Sequence, residues 1–229
     1  MANATTELTT PPVVLAFDTS LPHCAAALWR KVVLDHVSKD MTRGQAEHLM
    51  PMLQDLLATN GLVWSDLNLI AVGIGPGNFT GIRVSVAAAR GLGLALQIPV
   101  MGVSLFDILR QEPHGAELVT LDAPRGQVHG QLFRDGIATG APCLFDPAAP
   151  PSDLHLSGLV VTGASAHQIA DHFGATARVA APVNVAARIA SCAAIRWAQG
   201  DRTPPRPAPL YVRPADAAPP RDAPPTIIA

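Results

Sequence analysis

The stretch with the most chemical potential is Gly73-Ile-Gly75-Pro-Gly77-Asn-Phe-Thr80-Gly81. Glycines allow tight turns and close backbone approach. A helix that starts just after them offers free N–H groups and a partial positive charge to an anion. The stretch lacks the Gly-Lys-Ser/Thr ending of a P-loop and is not G-x-G-x-x-G, and no acidic residue follows at ribose distance. Two readings stay open on spacing: a phosphate cradle, or a tight strand-to-helix turn. Other candidates are poorer. Glu47 and His48 are adjacent, so on a helix they face different sides. No G-x-S-x-G elbow occurs, and Ser104 has no His and Asp constellation. Asp122 and Arg125 could form a loop ion pair or touch a ligand. Cys24, Cys143 and Cys192 form no C-x-x-C pair, which argues against zinc and redox motifs and for a reducing compartment.

The elements that must hold this loop read as follows. Residues 1–12 are a polar arm ending in two prolines. Val13–Phe17 is a buried strand, and Cys24–Trp29 with Val32–Ser38 reads as a hairpin around Arg30-Lys31. A helix runs from about Gly44 to Thr59, with Leu49, Met52, Leu53, Leu56 and Leu57 on one stripe. Pro51 should kink it or mark a start near His48. Leu67–Ile74 is the strand entering the glycine loop. The helix leaving it covers about Ile82 to Leu96, with Thr80 placed to cap it. That helix is rich in Ala and Gly, which suits close approach of another helix. Val100–Val103 is a further strand. Leu118–Asp122, Gln127–Phe133 and Leu159–Thr162 are strands of a second, weaker half, with a helix from Ala166 and a last one over Val185–Gly200. The order divides the chain into an arm (1–12), a first ribonuclease-H-like half (13–110), a second, reduced half (111–202) and a proline-rich tail (203–229). With 48% apolar residues and 15% charged, the chain can bury a sizeable core, and its net charge of −2 gives it no overall pull toward a phosphate backbone.

Gly75–Leu92 (GPGNFTGIRVSVAAARGL) resembles the GPGSFTGLRIG signature of the TsaB (YeaZ-like) family, which serves threonylcarbamoyladenosine synthesis in tRNA. Further segments follow in that family's order. Leu15–Ser20 is similar to its AIDTS strand and Arg43–Pro51 to its HAExLxP helix start. Pro99–Ser104 is similar to PxxGVS, Leu121–Arg125 to DARRG, and Pro209–Arg213 to PxYLR. Six ordered segments make the signal specific; any one alone is weak.

The resemblance implies an α/β actin-like ATPase (ASKHA) fold, with two ribonuclease-H-like halves of which the second is reduced. It implies a vestigial nucleotide or phosphate cleft at Asp18, Thr19, Ser20, Gly75, Gly77 and Thr80. It also implies a helix interface with a TsaD-like catalytic paralogue, for which Leu49, Met52, Leu53, Leu56, Ser85, Ala88, Ala89 and Leu92 are the candidates. The paralogue carries His-x-x-x-His after its PxxGV strand; here Ser104-Leu-Phe-Asp-Ile108 stands there, so neither a metal site nor a catalytic residue is expected. The implied protein is a cytoplasmic scaffold with no membrane contact, which could pair with itself when alone. It would work with a TsaD-like subunit and a TsaE-like ATPase, with ATP/ADP and metal in those partners and tRNA held mainly by the partner. The alternatives are a small-molecule kinase of the same fold, a nucleotide-binding sensor and a peptidase. The chain departs from the family pattern at Asn78, Ser85, Pro124, Gln127 and His129.

Overall fold

The computed structural model describes residues 11–212. In the first half, β1 (Val14–Asp18), β2 (His23–Arg30) and β3 (Val32–Asp40) form an antiparallel meander. Helix α1 (Gln45–Thr59) crosses to β4 (Leu69–Gly73), which lies parallel to β1. Helix α2 (Phe79–Leu96) then crosses to β5 (Val100–Val103), giving the strand order β3-β2-β1-β4-β5. A short helix α3 (Leu105–Leu109) leads into the second half. There β6 (Ala116–Asp122), β7 (Val128–Arg134) and β8 (Ile137–Phe145) repeat the meander. β9 (Val160–Gly163), α4 (Ala166–Phe173) and β10 (Thr176–Arg178) complete the order β8-β7-β6-β9-β10. The two sheets therefore share one topology, that of a ribonuclease-H-like unit, and together they make the actin-like ATPase fold.

The second half lacks a counterpart of α1. The stretch from β8 to β9 carries Pro147, Pro150 and Pro151, which remove backbone donors and clash with a continuing helix. It holds only a 3-10 turn at Ser152–Leu154.

Strand alternation builds the layers. On β1, Leu15 and Phe17 face α1 and α2, packing with Leu49, Leu53, Leu56 and Leu57. Val14 and Ala16 face the opposite way, toward α3 and the last helix, α5 (Val185–Ala198), through Phe106, Ile189, Ala190 and Ala193. Ala25, Ala27 and Ala71 keep that face of the sheet shallow, so α5 nests on it. Helix α4 covers the outer face of the second sheet, where Ile169 and Ala170 meet Leu118 and Val161.

Several expectations need correction. Helix α1 runs through Pro51 from Gln45, and α2 begins at Phe79 rather than Ile82. Its cap is Asn78, whose Oδ1 accepts from Gly81 N at 2.9 Å, while Thr80 lies exposed in the first turn. Strands β8 and β10 and helix α3 went unread in the sequence. Residues 203–212 pack on the first half: Leu210 N donates to Ile74 O at 2.8 Å, and Arg90 Nε to Pro207 O at 2.8 Å. The rest of the proline-rich tail, including Arg213 of the PxYLR-like segment, and residues 1–10 of the arm lie outside the described residues. Helix α2 is long and apolar enough to cross a membrane by composition, but Ile82, Ser85, Val86, Ala89 and Gly93 are buried in the fold.

Candidate functional site

The glycine loop lies on the end of β1, and that contact explains its composition. A Cβ on Gly73 would stand 1.8 Å from Asp18 Oδ1. One on Gly77 would stand 2.2 Å from Ser20 O, and one on Gly81 1.9 Å from Thr19 O. The space of three side chains is thus filled by the Asp18-Thr19-Ser20 segment itself. Gly75 has φ 92, a left-handed conformation that favours glycine. Hydrogen bonds seal the contact: Asn78 N donates to Ser20 O at 2.7 Å, and Thr19 Oγ1 to Gly81 O at 2.6 Å. The N-terminus of α2 already has its side-chain cap in Asn78. A packed turn accounts for these features without a bound anion.

Asp18, Thr19 and Ser20 are all fully buried. Asp18 Oδ2 accepts from Ser20 N at 2.9 Å and Ser20 Oγ at 3.0 Å, and meets His23 Nε2 at 2.8 Å. Oδ1 is buried against Gly73 with no hydrogen-bond partner. The carboxylate is engaged inside the first half, and His23 is a partner that no spacing in the sequence signals. The structure brings Asp18, Thr19, Ser20, Gly77 and the start of α2 together, but with the polar side chains turned inward.

A cavity of about 620 Å³ separates the two halves. Pro76 and Gly77 line it from the first half. Thr120, Asp122, Ser165, His167 and Gln168 do so from the second, with Leu21, Leu105, Leu121 and the Val179–Pro182 segment between them. Its lining holds one carboxylate, one imidazole and no Lys or Arg. Asp122 and Arg125 make no ion pair; Arg125 is exposed with φ 65. Ser104 and Asp107 form the capping box of α3, Ser104 N donating to Asp107 Oδ2 at 3.0 Å, and Ile108 is core. Among the described residues, no three His, Cys, Asp or Glu side chains gather as metal ligands.

The expected interface residues divide. Leu49, Leu53, Leu56, Ser85 and Ala89 are buried in the chain's own core, which removes them from any outside contact. Ser85 Oγ donates to Gly73 O at 3.3 Å, tying α2 to β4. Met52, Ala88 and Leu92 are half-buried. The outward face of the two helices instead presents Met50, Pro51, Ala87, Gly91, Leu94 and Ala95, with Leu94 83% exposed. A groove between α1 and α2 is lined by Met50, Pro51, Gln54, Trp64, Leu92 and Ala95. The stripe rule finds the buried face of such helices; the exposed face needed the position of the sheet.

Topology and site together define a two-lobed actin-like protein whose first lobe carries a glycine turn packed on its own first strand. The family model for TsaD, tRNA N6-adenosine threonylcarbamoyltransferase, matches residues 37–141. The uncharacterized protein Rv3421c of Mycobacterium tuberculosis is 38% identical over 213 residues, covering 90% of this chain and 94% of that one. The tRNA threonylcarbamoyladenosine biosynthesis protein TsaB of Escherichia coli is 36% identical over 121 residues, 51% of this chain and 52% of its own length. That of Buchnera aphidicola from Schizaphis graminum is 36% identical over 129 residues, so the match spans 61% of that protein. The solved structure of YeaZ from Pseudomonas aeruginosa superposes with a TM-score of 0.64 at 27% identity, over 84% of this chain and 98% of that one. The chain belongs to the TsaB/YeaZ-like family.

Proposed function

We propose that the chain is a non-catalytic scaffold subunit in tRNA threonylcarbamoyladenosine synthesis. It binds a TsaD-like catalytic paralogue through the outward face of α1 and α2. It holds that partner active while the partner transfers threonylcarbamoyl to the adenosine beside the anticodon, in tRNAs reading codons that start with A. A TsaE-like ATPase joins the assembly, and nucleotide, metal and most of the tRNA contact belong to the partners. The protein works in the cytoplasm and pairs with itself when alone.

The observation that carries this reading is the small-residue face Ala87, Gly91 and Ala95 on α2, exposed beside the groove to α1. Small side chains let a partner helix approach closely. The names of the TsaB relatives and the matching TsaD family model support the pathway. The scaffold role is supported by the inward engagement of Asp18 and by an inter-half cleft whose lining offers no cation to a phosphate. A kinase or a nucleotide sensor would have to hold phosphate there with the N-terminus of α4 (residues 165–168), without a Lys or Arg in the lining.

Co-purification with the same organism's catalytic paralogue tests the reading. The parent chain should capture it, and Ala87→Glu should abolish capture while the monomer keeps its melting temperature. Undiminished capture by Ala87→Glu, or full tRNA modification without this chain, would overturn it.

A further inference from the structure

The chain is acidic overall, with a formal net charge of −2, yet one face is assembled from segments that carry only positive charge. No acidic residue lies between Asp66 and Asp107, a span to which α2 contributes Arg83 and Arg90. None lies between Asp201 and Val212, where Arg202 and Arg206 stand. The 203–212 segment returns along α2, placing Pro207 against Arg90 and Tyr211 against Arg83. Arg206, next to Pro207, is exposed. Arg83 and Arg90 are two helical turns apart, about 10 Å, a distance compatible with alternate phosphates of one strand.

The aromatics on this face are placed unusually. Phe79 is 46% exposed and Tyr211 43%, and they are the exposed aromatic residues among those described. Their ring centroids are 5.2 Å apart, and the Arg83 guanidinium lies 3.7 Å from the Phe79 centroid. Arg83 Nε also donates to Tyr211 Oη at 2.7 Å. The rings are held in place by one another and by Arg83, yet keep much of their surface open. Held aromatic rings beside guanidinium groups are what unstacked bases and their phosphates recognise.

We propose that Phe79, Arg83, Arg90, Arg206 and Tyr211 form a binding surface for an unpaired RNA strand. Bases stack on Phe79 and Tyr211, and the arginines meet the phosphates. That the nucleic acid is RNA rests on the proposed function; that it is a single strand rests on the open rings, which paired bases cannot reach.

The test is fluorescence anisotropy of a short labelled oligouridylate titrated with the full chain. Binding should weaken with salt along a log–log slope of about −2, as expected for three phosphates of a single strand. Tyr211→Leu should weaken it about tenfold and Tyr211→Phe should leave it unchanged, because stacking needs the ring and not the hydroxyl. Arg206→Glu, at an exposed position, should weaken it about threefold or more without shifting the melting temperature. Duplex RNA and ATP should compete poorly. The proposal is overturned if no binding appears at about 100 µM chain in low salt. It is also overturned if Tyr211→Leu and Arg206→Glu both bind like the parent, or if ATP competes as well as the strand, marking a mononucleotide site. It falls as well if these variants lose the catalytic paralogue but keep the RNA, marking a protein contact. If the parent chain captures the paralogue but binds no oligouridylate, this inference alone falls; if the parent binds the strand but captures no paralogue, the scaffold reading alone falls.

Discussion

The two halves solve the same junction with different residues. In the first, β4 ends at Gly73 beside Asp18 of β1; in the second, β9 ends at Gly163 beside Thr120 of β6. Both strand ends need glycine, since a Cβ on Gly163 would stand 2.0 Å from Thr120 O. The first junction then continues through two more glycines, Gly75 and Gly77, into an 18-residue helix with a side-chain cap. The second enters an eight-residue helix behind Ser165, which has a left-handed backbone and makes no side-chain cap. The shared part is therefore steric, the close approach of two strand ends. The elaborated part belongs to the lobe that carries the exposed helix face.

Breaking the close approach should have the largest effect. Gly81→Ala and Gly163→Ala each drive a methyl group into a backbone carbonyl, and each should cost about 3 kcal/mol or more by urea melts. Gly91→Ala has open space on the same helix and should stabilise by up to about 1 kcal/mol. If Gly81→Ala is tolerated, the loop is not held by its packing on β1.

Next come the layers that differ between the halves. Leu53→Ala beneath α1 should cost about 4 kcal/mol, whereas Leu154→Ala in the short turn that replaces that helix should cost about 2 kcal/mol. Equal losses would mean that the reduced cover packs as firmly as a full helix.

The caps sharpen the contrast on a smaller scale. Asn78→Ala should cost about 1 kcal/mol in thermal denaturation, and Ser165→Ala close to nothing.

The thiols give the smallest and most local contrast. Burial, helped by nearby Asp18, pushes the Cys24 thiol up to about 11, so it stays neutral and unreactive through neutral pH. Burial also raises Cys143, but that residue is half-exposed. Maleimide at mildly alkaline pH should label Cys143 first and reach Cys24 only as the chain unfolds.

Much of the first half was legible because its signals are local. The β-branched run at Val13–Phe17, the leucine stripe of α1 and the glycine loop each declare an element within a few residues. The second half was harder to read because its strands carry interruptions. β8 contains Gly140 and Pro142, and its pairing with β7 slips between Gly130 and Leu132, so alternation fails there. β10 has three residues, too few for a pattern. The site was legible by family pattern rather than by physics. Glycine spacing could not tell a phosphate cradle from a packed turn, because what fills the space, Asp18 to Ser20, lies more than fifty residues away in the chain. Glu117 was likewise invisible. It is 1% exposed on β6, and its carboxylate accepts from Gln111 N at 3.1 Å, Glu112 N at 3.0 Å and Thr162 Oγ1 at 2.6 Å. In the sequence it is one acid among eighteen.

Helix α5 is the last helix among the described residues, yet it seats itself on the sheet built first. A repeated architecture invites the expectation that either unit could be cut away, exchanged or grafted as a module. Here the first unit borrows a wall from the far end of the polypeptide. Severed after α3, it would show water the alanine face of β1, β2 and β4. The duplication is legible in the topology, but the gene cannot be divided where the symmetry divides it.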